Sequence, residues 1–386
     1  MNTKNEQSLP GYSLRSLILY FLKLGSIGFG GPVALVGYMQ RDLVENRKWI
    51  NDEDFKEGLA LSQLAPGPLA AQLAIYLGYV HYRILGATLV GFAFVLPSFM
   101  MVLALGYFYV RFNGFPMIEA VFYGVGASII GIIMLSSYKL TKKSMGKDWT
   151  LWLIYIVLAV TTFLTEQENI WLILSGGVLV YVIRMKPVSQ LQTFSFLTPL
   201  LLQVSALPNH SKSSELFLFF LKAGAFVFGS GLAIVPFLYG GVVKEYGWLN
   251  EQQFMDAVAV AMITPGPIVI TVGFVGYLVD GFSGACIAAA ATFLPCYLFT
   301  ILPALYFKKY GKHPAIKAFV DGITAAAVGA IAGAVLVLSK RTLVDLTSIS
   351  IALVTLLLLV RFKKLQEPIL IVLAAITGIL LKLFII

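Results

Sequence analysis

The sequence predicts an all-α polytopic membrane protein made of two homologous halves, and three observations support this fold class. The chain has 386 residues, of which 59% are hydrophobic and 12% are charged, about half the charged fraction of a soluble domain. Apolar runs of about 20 residues, long enough to cross a bilayer as helices, recur from residue 14 to the C-terminus. The third observation is an internal sequence repeat.

The repeat relates the N-terminal and C-terminal parts of the chain. A shift of 199 residues places the FLK of 21–23 on the FLK of 220–222, and the PGP of 66–68 on the PGP of 265–267. After a one-residue deletion, a shift of 198 residues aligns further glycines and prolines. Such self-similarity indicates two copies of one structural unit.

We therefore divide the chain into four parts. They are an N-terminal tail (1–13), a first repeat (14–187), a linker (188–215) and a second repeat (216–386). Each repeat contains six apolar segments, which we predict to cross the membrane. They run about 14–37, 57–81, 84–110, 116–138, 149–164 and 170–184, and then 216–242, 256–279, 282–306, 315–339, 346–360 and 368–386.

The loop charges predict that the two halves have opposite orientations. Lysine and arginine mark the cytoplasmic side of a membrane protein. After the third segment they are abundant only in the second half, and after the fourth segment mainly in the first half, as in the lysine-rich stretch 139–147. An inverted-topology repeat of this kind is typical of secondary transporters. Six crossings cannot invert the next six, so we assign an extra crossing to 190–207, which gives thirteen; the alternative is that one glycine-broken segment is re-entrant.

Two segments in each half are predicted to be helices broken by glycine and proline. The first helix runs to about Gly25, meets "GSIGFGG" and restarts with Pro32 in its first turn. The second starts at the N-cap residue Asn51 (Asn250 in the other half) and breaks at "APGP" or "TPGP". Unsatisfied backbone costs several kcal/mol per group in lipid, so such breaks occur inside protein or beside a watery cavity.

These breaks predict a binding site for an anion. Each restarted half-helix directs free N–H groups and the positive end of its dipole toward the bilayer centre. Lys23 and Lys222 precede the breaks and could complete a site for a divalent anion, and the hydroxyls of Ser26, Ser62 and Thr271 could add hydrogen bonds. The predicted substrate-binding residues are Lys23, Gly28, Gly30, Gly31, Pro32, Gln63, Pro66, Gly67, Pro68, Gln72, Lys222, Gly229, Ser230, Gly231, Thr264, Pro265, Gly266 and Pro267.

A second interpretation of the lysines remains open from the sequence. They could extend to a membrane interface, or pair with Glu57 and Asp256, which lie at equivalent positions of the two halves. Asp280 and Asp321 are candidate coupling acids, but caps at the ends of membrane helices explain them as well.

Several protein classes are disfavoured by what the sequence lacks. It contains no P-loop, no nucleophile elbow and no histidine-carboxylate cluster, so we predict neither an enzyme nor a bound cofactor or metal. Many of the cations behind the net charge of +9 lie in short loops, where they report topology rather than nucleic-acid binding. The N-terminus lacks the apolar core of a signal peptide.

The duplicated motifs resemble one known family. "FLKLGSIGFGGP" and "QLAPGPLAAQLAIYLGY" in the first half, and "FLKAGAFVFGSG" and "ITPGP" in the second, are similar to the chromate ion transporter (CHR) family in its long, two-domain form. The resemblance implies a multi-pass protein of the bacterial plasma membrane that exports chromate and confers chromate resistance, with sulfate as a competitor or related substrate. Many members have histidine three residues after the proline of GGP, where this chain has Leu35.

We therefore predict a secondary transporter that exports chromate, with one repeat rocking against the other around a central site. Proton or sulfate exchange in an antiporter is left open. The alternatives are uptake of sulfate or another oxyanion, an anion channel with the same half-helix site, and a membrane enzyme or assembly factor that uses the cavity for a lipid phosphate. The expected partners are a chromate- or sulfate-like oxyanion and the lipid bilayer, with no nucleic acid. A homodimer is a possible assembly.

Overall fold

The computed structural model describes residues 11–29, 31–112, 116–166, 170–185, 211–226, 234–304, 313–362 and 367–384. Within these ranges the chain is helical, and no β-strand occurs in them, which confirms the predicted all-α class. The tail before residue 11 and the predicted crossing at 190–207 lie outside the described residues.

The described residues of the first half form seven helices. They are α1 (Leu14–Ile27), α2 (Gly31–Met39) with a π-helical continuation (Gln40–Asn46), α3 (Asp52–Leu64), α4 (Leu69–Phe112), α5 (Pro116–Met145), α6 (Trp149–Thr165) and α7 (Ile170–Met185). The two predicted breaks correspond to the gaps between α1 and α2 and between α3 and α4. The first helix continues two residues beyond the predicted end, to Ile27.

The second half repeats this order. Its helices are α8 (Lys212–Phe226), α9 (Ile234–Tyr239) with a π-helical continuation (Gly240–Glu245), α10 (Glu251–Ile263), a short 3₁₀ helix (Ile268–Ile270), α11 (Thr271–Ala304), α12 (Pro314–Thr342), α13 (Leu346–Arg361) and α14 (Glu367–Phe384). Four described helical stretches are long and apolar enough to cross a membrane: Leu69–Phe112, Tyr123–Lys142, Ile268–Ala304 and Pro314–Thr342. Shorter apolar stretches lie in α6, α7, α13 and α14.

The predicted helix caps at equivalent positions are confirmed. The side chain of Asn51 accepts a hydrogen bond from the backbone N–H of Asp54 at 2.7 Å. Asn250 does the same with Gln253 at 2.8 Å, and the Gln253 side chain accepts in return from the Asn250 N–H. Such caps satisfy N–H groups that have no acceptor in the first helical turn, so α3 and α10 start at the same point of each repeat.

The structure differs from the sequence prediction in the path of the broken segments, which fold back at the breaks. The Tyr20 hydroxyl of α1 donates to the Tyr38 carbonyl of α2 at 3.3 Å, whereas a straight helix would separate these residues by about 27 Å. Tyr76 of α4 lies against Gly58 of α3 in the same way, since a Cβ atom on Gly58 would lie 2.3 Å from the Tyr76 ring. The segments 14–37 and 57–81 are therefore helical hairpins with their tips at the glycine and proline breaks.

The second half folds in the same way. The ring of Phe219 in α8 stacks on Phe237 in α9, with 5.8 Å between centroids, so this segment also reverses. Tyr109 contacts both Asp256 of α10 and Phe274 of α11, which brings these two helices side by side. The tip at 227–233 lies outside the described residues, whereas the tip at 264–267 is described.

Helices α4 and α11 each reverse direction inside their length. Non-helical backbone at Arg83 (φ 52°, ψ −143°) separates the arms 69–82 and 84–112 of α4, and Asp280 and Gly281 do so in α11. The arms touch through backbone, because a Cβ atom on Gly78 would lie 2.5 Å from the Gly86 carbonyl oxygen. The reversal in α4 agrees with the predicted separation of the segments 57–81 and 84–110.

The two halves exchange helices. A Cβ atom on Gly124 of α5 would overlap the Ala374 carbonyl of α14, and one on Gly322 of α12 would overlap the Gly176 carbonyl of α7. The members of these two pairs are related by the same shift of 198 residues. Each half's fourth segment thus packs against the last two helices of the other half, which joins the halves into one folded unit.

Candidate functional site

Hairpin tips from the two halves meet in the interior of the protein. The backbone N–H of Gly266 donates to the carbonyl of Gly28 at 2.9 Å. Gly266 has φ +95°, and a Cβ atom there would overlap the Ser98 hydroxyl and lie 3.2 Å from the Gly25 carbonyl oxygen. Only glycine fits both this backbone conformation and this close approach. The structure thus brings the break after α1 into contact with the break at 264–267.

A small cavity lies where the tips meet. Its volume is about 10 Å³, and its lining comes from the start of α2 (Gly31, Pro32), the start of α4 (Pro68, Leu69, Ala70), residues 266–269 and Leu35. Helix starts leave N–H groups without intrahelical acceptors and carry a partial positive charge. No acidic side chain is among these lining residues. The helix starts therefore direct the positive ends of their dipoles toward a cavity whose lining is mostly apolar in this conformation.

The cavity is too small for an oxyanion in this conformation. A volume of this size holds a single water molecule, whereas a tetrahedral oxyanion has five heavy atoms. A substrate of that size enters only after the tips move apart. The tip at 227–233, which carries the predicted residues Gly229, Ser230 and Gly231, lies outside the described residues, as does Gly30.

Gln72, in the first turn of α4, is a buried polar residue beside this site. Its amide nitrogen donates to the Pro66 carbonyl at 2.8 Å and holds the first-half tip. Its amide oxygen is buried without a hydrogen-bond partner in the described part of the chain. A buried acceptor left unsatisfied costs about 1–3 kcal/mol. A water molecule or a ligand that offers a hydrogen would remove this cost.

The hydroxyl groups that we expected to contact substrate are engaged within their own helices. Each donates to a carbonyl three or four residues earlier: Ser26 to Leu22, Ser62 to Gly58, Thr264 to Ala261 and Thr271 to Ile268. Their hydrogens reach a substrate only if the side chains change rotamer or the helix ends rearrange.

Neither predicted lysine lines the cavity. Lys23 is exposed, on a face of α1 that also exposes Leu19 (53%) and Ile27 (60%), and Lys222 is exposed on α8. Gln63 is exposed as well. The suggested pairing of Lys222 with Asp256 is not found, because Asp256 accepts hydrogen bonds from Tyr109 and Gln252 instead.

Two residues at the site were not assigned from the sequence. Ser98 donates to the Gly25 carbonyl at 3.3 Å and packs against Gly266. Leu35 is 1% exposed and lines the cavity, so the position at which the family resemblance leads us to expect histidine is a cavity position. Two sequence features could have drawn attention to these residues, the "LPSF" stretch around Ser98 and leucine in place of histidine at position 35. Neither feature indicates where the residue lies in the folded protein.

Two ionic clusters join the halves away from the cavity. Arg184 binds Asp321 at 2.6 Å and Asp148 at 2.7 Å, and its guanidinium lowers the pKa of Asp148 below the ordinary value. Asp321 is thus part of an ion pair, and Asp280 lies at the reversal of α11. In the second cluster Arg341 and Lys244 each contact both Glu166 and Glu251.

Comparisons with known proteins agree with this architecture. The sequence profile described as chromate transporter matches twice, at residues 15–181 and 214–379. The chain is 66% identical over 375 residues to the chromate transport protein of Cupriavidus metallidurans, covering 96% of this chain and 94% of that protein. It is 59% identical over 378 residues to the probable chromate transport protein of Synechococcus elongatus, covering 96% of each.

A shorter relative corresponds to part of the chain. The uncharacterized transporter YwrA of Bacillus subtilis is 32% identical over 171 residues, covering 42% of this chain and 93% of that protein. No solved structure matches the chain. The duplicated profile match and the full-length relatives together establish the classification, which is that of a transporter rather than an enzyme. The chain belongs to the chromate transporter family.

Proposed function

We propose that the protein is a secondary transporter that exports chromate across the bacterial plasma membrane, with sulfate as a competing oxyanion. The observation that carries the proposal is the contact between hairpin tips of the two halves, where Gly266 binds Gly28 beside a cavity lined by helix starts. Free N–H groups at helix starts bind oxyanions. The names of the full-length relatives support chromate as the substrate.

The small volume of the cavity favours a transporter over a channel. A channel needs a continuous path, whereas the cavity between the tips has room for about one water molecule. We infer that the tips separate toward one side at a time, so that the dianion is bound in the middle and released on the opposite face. Export from a cell with a negative interior releases roughly 2.3 kcal/mol per charge for each 100 mV.

We also propose that the halves form an inverted repeat, and the direction of equivalent helices supports this. A Cβ atom on Gly273 would lie 3.2 Å from Phe99, and one on Gly106 would lie 2.9 Å from Tyr277. The second arm of α4 therefore runs parallel to the first arm of α11. Because the two arms of α11 are antiparallel, the second arm of α4 is antiparallel to its own counterpart. A rotation axis in the membrane plane produces this relation.

The ionic clusters support the same topology. If the tips are re-entrant, each half crosses the membrane four times, through the second arm of α4 or α11 and the three helices that follow. Inversion then needs one crossing between the halves, which we assign to 190–207, so that the total is nine rather than thirteen. Arg184, Asp148 and Asp321 fall together on the lysine-rich face, and Arg341, Lys244, Glu166 and Glu251 on the other, as their contacts require.

Flux of labelled chromate in inside-out vesicles tests the proposed function. We expect saturable uptake into vesicles that contain the protein, because export from the cell corresponds to entry into the lumen. Excess sulfate should reduce this uptake, and an imposed potential, positive in the lumen, should accelerate it. Vesicles without the protein are the control. Absence of chromate uptake above that control would contradict the proposal.

The same vesicles separate a transporter from a channel. Unlabelled chromate inside the lumen accelerates uptake of labelled chromate if a carrier with bound chromate reorients faster than the empty carrier. A channel shows no such acceleration and conducts in proportion to the driving force. Acceleration is therefore the expected result.

Replacing Lys23 or Lys222 by glutamine is expected to reduce chromate uptake severalfold at low substrate concentration. Each substitution removes one positive charge from a membrane helix and so lowers the local anion concentration near its tip. Uptake rates are compared at equal amounts of protein in the membrane. Lys56→Gln, which removes an exposed lysine paired with Asp52, is the control. Unchanged uptake in both variants would show that the lysines only extend to the interface.

A further inference from the structure

Asp256 is a buried acid that the oxyanion site does not use. Its side chain is 3% exposed, and it is the one charged residue among the buried polar residues in the described part of the chain. It lies on α10, whose residues Met255 and Val258 belong to a large apolar core that contains residues of both halves. A buried carboxylate without a cation is costly to keep charged and commonly has a functional role in membrane transporters.

The carboxylate is held by two neutral donors. The Tyr109 hydroxyl donates to Oδ2 at 2.6 Å, and the Gln252 amide donates to Oδ1 at 2.8 Å. Tyr109 belongs to α4 of the first half, whereas Asp256 and Gln252 belong to the second. The hydrogen bond between Tyr109 and Asp256 therefore crosses the interface along which the halves must move.

No lysine or arginine in the described ranges forms an ion pair with Asp256. Lys244, on the π-helical continuation of α9, and Arg341, on α12, each form ion pairs with Glu251 and Glu166. The helices packed against α10 carry other charged side chains in the described part of the chain, and no ion pair joins any of them to Asp256. They are Arg83 and Arg111 on α4, Lys139 and Lys142 in the last turns of α5, Glu245 at the end of the π-helical continuation of α9, Asp280 at the reversal of α11 and Glu367 at the start of α14. The charge of the carboxylate is thus balanced by hydrogen bonds alone.

The surroundings suit a proton rather than a metal ion. A bound cation needs several oxygen ligands around it, whereas Tyr109 and Gln252 both present hydrogens to the carboxylate. No group of three or more histidine, cysteine or acidic side chains that could hold a metal occurs among the described residues. Asp256 also lies eight residues, or about 12 Å, before the tip at Thr264, and five residues after Glu251 at the membrane surface.

We propose that Asp256 is the proton-binding site of the transport cycle and that chromate export is coupled to proton entry at this residue. This inference rests on the proposed chromate transport. In the inverted topology, Asp256 lies between the outer face and the tip at 264–267. A proton taken from outer water neutralises the carboxylate and weakens its pairing with Tyr109 across the interface. The halves then rearrange, and the proton leaves Asp256 for water on the cytoplasmic side.

Accumulation of labelled chromate in inside-out vesicles under an imposed pH gradient and clamped potential tests the proposal. One proton exchanged per chromate changes the accumulation ratio about tenfold per pH unit of gradient. We expect this slope for the wild-type protein, with an acidic lumen favouring uptake. Asp256→Asn should accumulate chromate independently of the gradient while retaining chromate–chromate exchange at symmetric pH. Glu57→Gln, at the equivalent but half-exposed position, is the matched control and should retain the wild-type slope.

The outcomes separate the two proposals. Wild-type vesicles without chromate flux would overturn the proposed function itself. Wild-type flux without a gradient response, or an Asp256→Asn variant with the wild-type slope, would overturn only the role of Asp256.

If the Asp256→Asn variant loses chromate–chromate exchange as well, the pH dependence of uptake by the Tyr109→Phe variant tests the role of Asp256. Loss of the donor destabilises the charged carboxylate, so the midpoint of the pH dependence of uptake should rise by about one unit. An unchanged midpoint would overturn the inference.

Discussion

Replacing Gly266 by alanine is expected to reduce chromate transport at least tenfold without removing the protein from the membrane. The new methyl group would overlap the Ser98 hydroxyl, and the backbone at φ +95° is strained for any residue other than glycine. Overpacking and backbone strain each cost about 1–3 kcal/mol, so the bond from Gly266 to Gly28 would be lost or displaced. Vesicle flux, normalised to protein amount, measures the effect.

Two further variants make this prediction specific. Gly247→Ala has the same kind of backbone, with φ +58°, but a Cβ atom there meets nothing within 4 Å. It should cost about 1 kcal/mol of stability and leave transport unchanged. Ser98→Gly in the Gly266→Ala background removes the overlapping side chain and should restore part of the flux. Wild-type transport by Gly266→Ala would show that the tips do not need this contact.

Replacing Gly124 by alanine is expected to lower the free energy of unfolding by about 3 kcal/mol or more. Its Cβ atom would overlap the carbonyl oxygen of Ala374 on the exchanged helix α14, and backbone cannot move aside as a flexible side chain can. The helices α5 and α14 would separate, with loss of packing between the halves. Thermal unfolding of the detergent-solubilised protein measures the change.

A matched control lies two residues further along the same helix. A Cβ atom on Gly126 meets only Met255 and Thr342, both at 3.9 Å. Gly126→Ala should therefore be neutral, or stabilising by up to about 1 kcal/mol through helix propensity. Equal stability of the two variants would contradict the exchange of helices between the halves.

The paths of the broken segments could not be predicted from the sequence. Glycine and proline indicate that a helix ends, because they lack a Cβ atom or a hydrogen-bond donor. They do not indicate the direction in which the chain continues. That direction depends on contacts such as Tyr20 with Tyr38 and Gly58 with Tyr76, which join residues 18 positions apart.

Some residues of the candidate site could be predicted from the sequence, and others could not. Gly28, Gly266 and the prolines of the tips were predicted, because the repeat and the breaks can be read along the chain. The exposed positions of Lys23 and Lys222 were not predictable, since their helix face depends on which neighbours cover the other side. Leu35, Ser98 and the pair formed by Tyr109 and Asp256 come together from distant segments.

The sequence by itself determined the all-helical membrane class, the duplication, the caps at Asn51 and Asn250 and the family. It also predicted four breaks, of which the one at 227–233 lies outside the described residues. These properties follow from composition, local backbone preference and self-similarity, which act over a few residues or are copied along the chain. Only the tertiary structure decided that the breaks are hairpin tips, that the halves exchange helices, and that Asp256 is buried against Tyr109. Those outcomes depend on close packing between surfaces far apart in the chain, and no local pattern specifies which surfaces meet.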